Sequence, residues 1–288
     1  MSIRLRILGA SGGTITHGGW KPLPFAWLRG GSGRAMGMVV AGGSGHRLET
    51  TSFLVNKTIL LDAGTGVGIL SLTELKKIRH ILITHSHLDH IASIAFMADS
   101  LFEITQTPIQ VHASEETIES LRKHLFNDVL WPDFTRITNP MGIRVIQLIP
   151  FSSREPLQIG KLSIEMIPVS HTVPAVGYRI ESNSHSFAYT GDTITNNTFW
   201  DVINDHGSLD MLITECAFPA GMKEIAALSK HYDPDSLAAD LNKLKINTRI
   251  FVTHLKPGKE DQILKELKKR APDHKIQLLK QDEIHKFR

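Results

Sequence analysis

The chain of 288 residues contains one cysteine, Cys216. A single thiol excludes an internal disulfide and a cysteine-based zinc cluster. Aromatic residues make up only 7% of the chain, and the formal net charge is only +3. So small an excess does not suggest gripping nucleic acid by bulk electrostatics. No run approaches the roughly 18 apolar residues of a membrane helix. The opening MSIRLRILGASGG lacks the long apolar core of a secretion signal. These absences point to a cytoplasmic protein with no membrane partner. GTGVG at 64–68 is not followed by the Lys-Ser/Thr of a phosphate-binding loop, and no H-E-x-x-H occurs. Low-complexity tracts, linkers and short-period repeats are absent too.

What is present in excess is histidine, at 15 residues. Otherwise the chain is 41% hydrophobic and 21% charged, ordinary values for a protein that buries a full core. Its length suits one large domain covering 1–288.

IRLRIL (3–8) alternates as a strand does. Residues 9–49 are rich in glycine and read as a long loop. TSFLV and TILLD form a hairpin through Asn56 and Lys57, and GVGILSLTELKKI has helical spacing. HILIT (80–84) is a short buried strand that runs into the helix DHIASIAFMADSLF. PIQVHA is a strand, and SEETIESLRKHLF is a helix capped by Ser114. The second half holds the strands IRVIQLI, LSIEMIPV, GYRIES, HSFAYT, DMLITE and RIFVT. Asp233 and Pro234 start the helix DPDSLAADLNKL. GKEDQILKELKKR is the last helix and KIQLL the last strand. Both halves run strand-rich and then mixed, which predicts two mixed sheets with helices outside.

The stretch HILITHSHLDHIASI (80–94) crowds His85, His87, Asp89 and His90 behind an apolar lead-in. Folding has no use for such crowding, but metal binding does. His171, Asp192 and His254 each follow a predicted strand as well, where side chains from different strands converge. Seven ligand-type groups are too many for one tetrahedral ion and suit two. Imidazole and carboxylate without thiolate suit zinc, iron or manganese. His17, His46, His112, His124, His206, His274 and His285 read as ordinary surface or core histidines. Cys216 reads as core. Lys256, two residues after His254, is either a phosphate contact or a solvated turn lysine.

THSHLDH (84–90) resembles the H-x-H-x-D-H motif of the metallo-β-lactamase fold superfamily, and VSHT, YTGDT and FVTHL resemble its later segments in order. The longer HSHLDHIASIAFMADS resembles the signature of class II 3′,5′-cyclic nucleotide phosphodiesterases, as do LLDAGTGVG, LITECAFP, LSKHYDP and THLKPG. Ser100 departs from that signature in being followed by Leu101, where Pro or Ala is usual. The likeness covers about residues 50–260.

It implies an α/β (α+β) fold, a four-layer αββα sandwich of two mixed sheets with outer helices. It implies two divalent metal ions, zinc first, with manganese or iron as alternatives. One would be held by His85, His87 and His171, the other by Asp89, His90 and His254, with Asp192 bridging. Asp89 would also accept a proton from the attacking water. His231, in LSKHYDP, would protonate the leaving alkoxide. Asp62, ending TILLD, reads from its position either as the acceptor of a hydrogen bond from a ligating histidine or as a simple turn carboxylate. The implied reaction is hydrolysis of cAMP or cGMP to a 5′-monophosphate, with the cyclic nucleotide as the only small-molecule partner and a homodimer as a further implication. Base selectivity would fall to the glycine-rich loop, Trp131 or Phe134. The alternatives are a tRNA 3′-processing nuclease, a thioester or lactone hydrolase, and a degenerate non-enzyme of the same fold.

Overall fold

The computed structural model describes residues 2–12, 49–153 and 155–287. The expected glycine-rich loop at about 9–49 lies, from 13 to 48, outside the described residues. β1 (Ile3–Gly9), β2 (Ser52–Val55) and β3 (Ile59–Leu61) form an antiparallel meander. Its second turn, residues 56–58 between the paired Val55 and Ile59, places Asn56 and Lys57 at φ 49° and 69°, the left-handed backbone that tight hairpin turns use.

α1 (Leu72–Leu75), β4 (His80–Leu82), α2 (Leu88–Leu101), β5 (Ile109–Ala113), α3 (Glu115–His124) and β6 (Ile146–Pro150) follow. β3, β4, β5 and β6 are parallel. The second half repeats the plan. β7 (Leu157–Ile159), β8 (Leu162–Val169), β9 (Ala175–Ser182) and β10 (His185–Tyr189) are antiparallel. After α4 (Thr198–Asp205) come β11 (Met211–Glu215), α5 (Lys223–Ser229), α6 (Pro234–Leu241), β12 (Arg249–Thr253), α7 (Glu260–Arg270) and β13 (Ile276–Leu278). β10 to β13 are parallel, and β14 (Ile284–Phe287) returns to pair with β1. The sheets run β14-β1-β2-β3-β4-β5-β6 and β13-β12-β11-β10-β9-β8-β7.

Strand alternation explains the layering. Phe53, Val55 and Leu82 face inward and pack with Tyr178, Phe187 and Ile213 of the other sheet. Leu54, Ile81 and Ile83 face outward onto Ile91, Ile94 and Ala98 of α2. Ala188, Leu212 and Val252 face outward onto Trp200, Leu237 and Ile263 of α4, α6 and α7. The result is the αββα sandwich of two mixed sheets. Phe134 is 4% exposed in the outer core of the first sheet, with Trp131 packed against it. Cys216 is fully buried in the outer core of the second. No helix among the described residues is long and apolar enough to cross a membrane.

Two expectations need correction, and two helices were not expected. GVGILSLTELKKI is not one helix: it splits into a 3-10 turn, Thr65–Ile69, and α1. The Ser71 hydroxyl accepts from the Glu74 amide and starts a new helix there, breaking the periodic run. KIQLL is not the last strand, because β14 follows; its half-polar IHKF is recruited by the open edge of β1. α4 and α5 had no forecast at all.

Candidate metal centre

The seven ligand-type groups reach one end of the sandwich because they lie just past the ends of β4, β8, β10 and β12. His85 and His87 lie where β4 gives way to α2, and Asp89 and His90 occupy the first turn of α2. An acidic group there is favoured by the helix dipole. His171 follows β8, Asp192 follows β10 and His254 follows β12. Gly191 turns the chain into Asp192 at φ +62°, and a Cβ there would lie 2.7 Å from the Val176 carbonyl oxygen.

Two groups of candidate ligands share Asp192. His85, His87, His171 and Asp192 place one donor atom each within 4.8 Å of one another, and so do Asp89, His90, Asp192 and His254. Asp192 Oδ2 lies 3.7 Å from His85 Nε2, 3.4 Å from His90 Nε2 and 3.1 Å from His254 Nε2. His254 Nε2 is also 3.2 Å from Asp89 Oδ2, and His171 Nε2 is 3.1 Å from His87 Nδ1. His85 Nε2 and Asp192 Oδ1 are buried and make no hydrogen bond among the described residues. Leaving such atoms unpaired costs about 1–3 kcal/mol each. Divalent ions of the zinc type fit this donor set.

Neighbouring groups fix the imidazoles. His90 Nδ1 lies 2.7 Å from Asp62 Oδ2, and Thr84 donates to Asp62 through its amide at 2.8 Å and its hydroxyl at 3.0 Å. His171 Nδ1 lies 3.0 Å from the Lys230 carbonyl oxygen, and the Lys230 ammonium donates to the His171 carbonyl at 2.9 Å. A ligating histidine anchored by its other nitrogen keeps its tautomer and aim.

Burial drives the His85 imidazole well below the ordinary histidine pKa, with the charge of His90 adding to the shift. Burial likewise lowers His171, to about 4, against the pull of Asp192. Neutral imidazoles are the metal-binding form. Burial also acts downward on His90, but the carboxylates of Asp192 and Asp62 outweigh it and raise that group well above the usual value. Asp192 and Asp89 are both held well below the carboxylate range: burial acts upward on each, and the surrounding imidazoles outweigh it. A carboxylate this acidic is a ready ligand and only a weak base.

His231 sits beside the centre, its ring 4.9 Å from that of His171 and 5.1 Å from that of His254. Its Nδ1 lies 2.8 Å from Glu215 Oε1. Glu215 ends β11 and is fully buried. It also accepts from the amides of Thr193 at 3.0 Å, Ala217 at 3.0 Å and Tyr232 at 3.3 Å. Four donors occupy its lone pairs. Although Glu215, His231 and His254 also come within 4.8 Å of one another, the carboxylate is therefore a hydrogen-bonding partner of His231 and not a third metal site. Burial alone would lower His231; the Glu215 charge outweighs it and raises its pKa. Local spacing does not single out Glu215. Its signal was a carboxylate ending the apolar DMLITE, as Asp62 ends TILLD.

His17 and His46 lie outside the described residues; His112, His124, His206, His274 and His285 stay outside the centre. His112 is buried and stands 3.1 Å from His80, and His206 pairs with Glu165 at 2.7 Å.

Comparison with known proteins adds the family. The profile described as Beta-lactamase superfamily domain matches residues 57–255. A probable 3′,5′-cyclic-nucleotide phosphodiesterase of Yersinia pestis is 27% identical over 206 residues, covering 64% of this chain and 58% of that protein. The 3′,5′-cyclic-nucleotide phosphodiesterase 1 of Saccharomyces cerevisiae is 25% identical, over 80% of this chain and 77% of that one. The match to the Yersinia pestis protein thus takes in less than two thirds of that relative's length. The solved structure of unliganded yeast PDE1 superposes with a TM-score of 0.74 at 19% identity, covering 99% of both chains, which shows a shared fold. With more than half of its length matched by the family profile, the chain belongs to the beta-lactamase superfamily domain family, in its metallo-β-lactamase branch.

Proposed function

We propose that the protein is a two-metal phosphodiesterase that hydrolyses 3′,5′-cyclic nucleotides to 5′-monophosphates. The observation that carries this reading is the joint arrangement of seven ligand-type side chains around Asp192 with the Glu215–His231 pair at their side. His85, His87 and His171 would hold one ion and Asp89, His90 and His254 the other, with Asp192 common to both groups. Zinc is the first choice, with manganese or iron as alternatives. Such a pair of ions, when bound, acidifies a water to a pKa near 7 and neutralises charge on phosphoryl oxygens.

The chain's own residues do the rest. Asp89 and Asp192 would supply negative charge toward two dications, and Asp89, whose side chain is 31% exposed, would relay the water's proton to solvent without keeping it. Asp62 holds His90 in place by its Nδ1. Glu215 accepts from His231 Nδ1, so the imidazolium offers its Nε2 proton to the departing ribose oxygen. The Glu215 charge raises the pKa of His231 and so favours the protonated form. Relatives named as cyclic-nucleotide phosphodiesterases support this substrate class over a thioester or lactone. The cyclic nucleotide is the expected partner, and the enzyme acts without a membrane.

The test is hydrolysis of cAMP and cGMP by metal-analysed protein, beside bis-(p-nitrophenyl) phosphate and a pre-tRNA 3′ trailer. Release of a 5′-monophosphate with close to two ions per chain supports the reading. Cleavage of the trailer alone, or of the activated diester alone, would overturn the cyclic nucleotide and leave the metal centre.

A further inference from the structure

His254 stands at φ 60°, a left-handed conformation that costs a non-glycine residue about 1 kcal/mol or more and persists only where its surroundings enforce it. The enforcing contacts come from Ala10–Gly12, the segment leaving β1. The Ala10 carbonyl accepts from the His254 amide at 2.9 Å and from the Thr253 hydroxyl at 3.0 Å. The Gly12 amide donates to the Leu255 carbonyl at 3.3 Å. The Lys256 ammonium closes the set, donating to the Gly12 carbonyl at 2.9 Å while lying 5.3 Å over the Phe218 ring. Lys256 is in turn tied by its amide to the Ala217 carbonyl at 3.0 Å.

Gly12 itself touches the ligand. A Cβ on it would stand 2.4 Å from the His254 carbonyl oxygen and 2.6 Å from His254 Nδ1. Gly12 is not in the left-handed region, so contact, and not torsion, demands glycine here. We propose that Gly12, with the Lys256 ammonium that grips its carbonyl, is a positioning residue that sets where His254 delivers Nε2 and so the affinity of the Asp89–His90–Asp192–His254 group for its ion. The inference rests on the two-metal reading and assigns Lys256 to this grip ahead of phosphate contact. A methyl group at position 12 pushes the imidazole or its carbonyl aside, and a shift of a few tenths of an ångström spoils one corner of that ion's coordination. The His85–His87–His171 group does not touch this segment and keeps its ion.

The experiment titrates chelator-stripped wild type, Gly12→Ala, Lys256→Met and Lys256→Arg with Co²⁺, reading visible absorption bands and bound metal, and records the melting temperature of each metal-free protein. Wild type is expected to take up two ions. Gly12→Ala should keep one tight ion and bind the second about 10–100-fold more weakly, with a lowered metal-free melting temperature, because the added methyl also meets the His254 backbone carbonyl. Lys256→Met, which adds no bulk, should weaken the same ion by a smaller factor, and Lys256→Arg should restore part of it. Wild-type affinity for both ions in Gly12→Ala and Lys256→Met would overturn the proposal, as would equal weakening of both ions. If Gly12→Ala does not fold, Lys256→Met against Lys256→Arg decides alone. Wild type that takes up no second ion would instead overturn the two-metal reading, and this inference with it.

Discussion

Glu215→Gln separates the roles of metal and acid. The substitution puts an NH₂ where one carboxylate oxygen stood. Placed at Oε2, it would face the amides of Ala217 and Tyr232 and leave two buried donors unpaired. Placed at Oε1, it faces His231 Nδ1 and the Thr193 amide. The second placement is cheaper, since His231 relieves one clash by switching tautomer so that Nδ1 accepts. One buried amide, that of Thr193, then lacks a partner, at about 1–3 kcal/mol of stability. That is tolerable for a domain with about 5–15 kcal/mol in hand. The chemical loss is larger. Without the Glu215 charge the imidazolium is less favoured, and the acid form proposed for His231 is depleted at neutral pH. A positioned general acid contributes about 10²–10⁴-fold, so kcat on cAMP should fall by at least about 10²-fold. Bis-(p-nitrophenyl) phosphate, whose leaving group departs without a proton, should be cleaved at close to the wild-type rate. Metal content should stay unchanged. The pH profile on cAMP carries the sign: the acid works below its pKa, Glu215 raises that pKa, and so the alkaline limb must move to lower pH in the variant. Equal slowing of both substrates, or loss of metal, would refute the reasoning.

Other substitutions probe the remaining parts. His231→Ala should keep its metal and discriminate between the two substrates as Glu215→Gln does; stripping of metal would remove His231 from the acid role. Asp192→Ala should lower metal content below one ion per chain by direct analysis, since both groups share it, and two retained ions would show that it does not bridge. Asp62→Asn frees His90 Nδ1 and should weaken one ion about 10–100-fold, measured by competition with a chelator. His112 sets a pH dependence of stability. Burial, with the charge of His80 adding, lowers it to about 4 in the folded protein against about 6.5 unfolded. The unfolded chain therefore binds the extra proton between those values, and stability falls as pH drops from 6.5 toward 4. Urea unfolding should show wild type losing about 2–3 kcal/mol more than His112→Gln across that window; equal losses would remove His112 as the cause.

An apolar strand followed at once by His85, His87, Asp89 and His90 is legible because its chemistry is local: strand end, turn and first helical turn are consecutive in the chain. Period-two alternation set the two-faced strands, and Ser114 and Asp233 announced their helices, because a cap is a contact between residues three apart. Elements without a strong local signature were lost. The half-polar β14 exists because β1 offers an edge from the far end of the chain. α1 is shorter than its apolar spacing suggests because Ser71 restarts the helix. The tertiary structure alone decided which strand ends meet. Asp192 touches His85, His90 and His254 only because the two sheets stack with those strand ends at one edge. The partner of His231 stayed hidden for the same reason. Glu215 precedes it by 16 residues, with a helix between, and nothing in local spacing says that the chain will bring a carboxylate and an imidazole back to within a hydrogen bond.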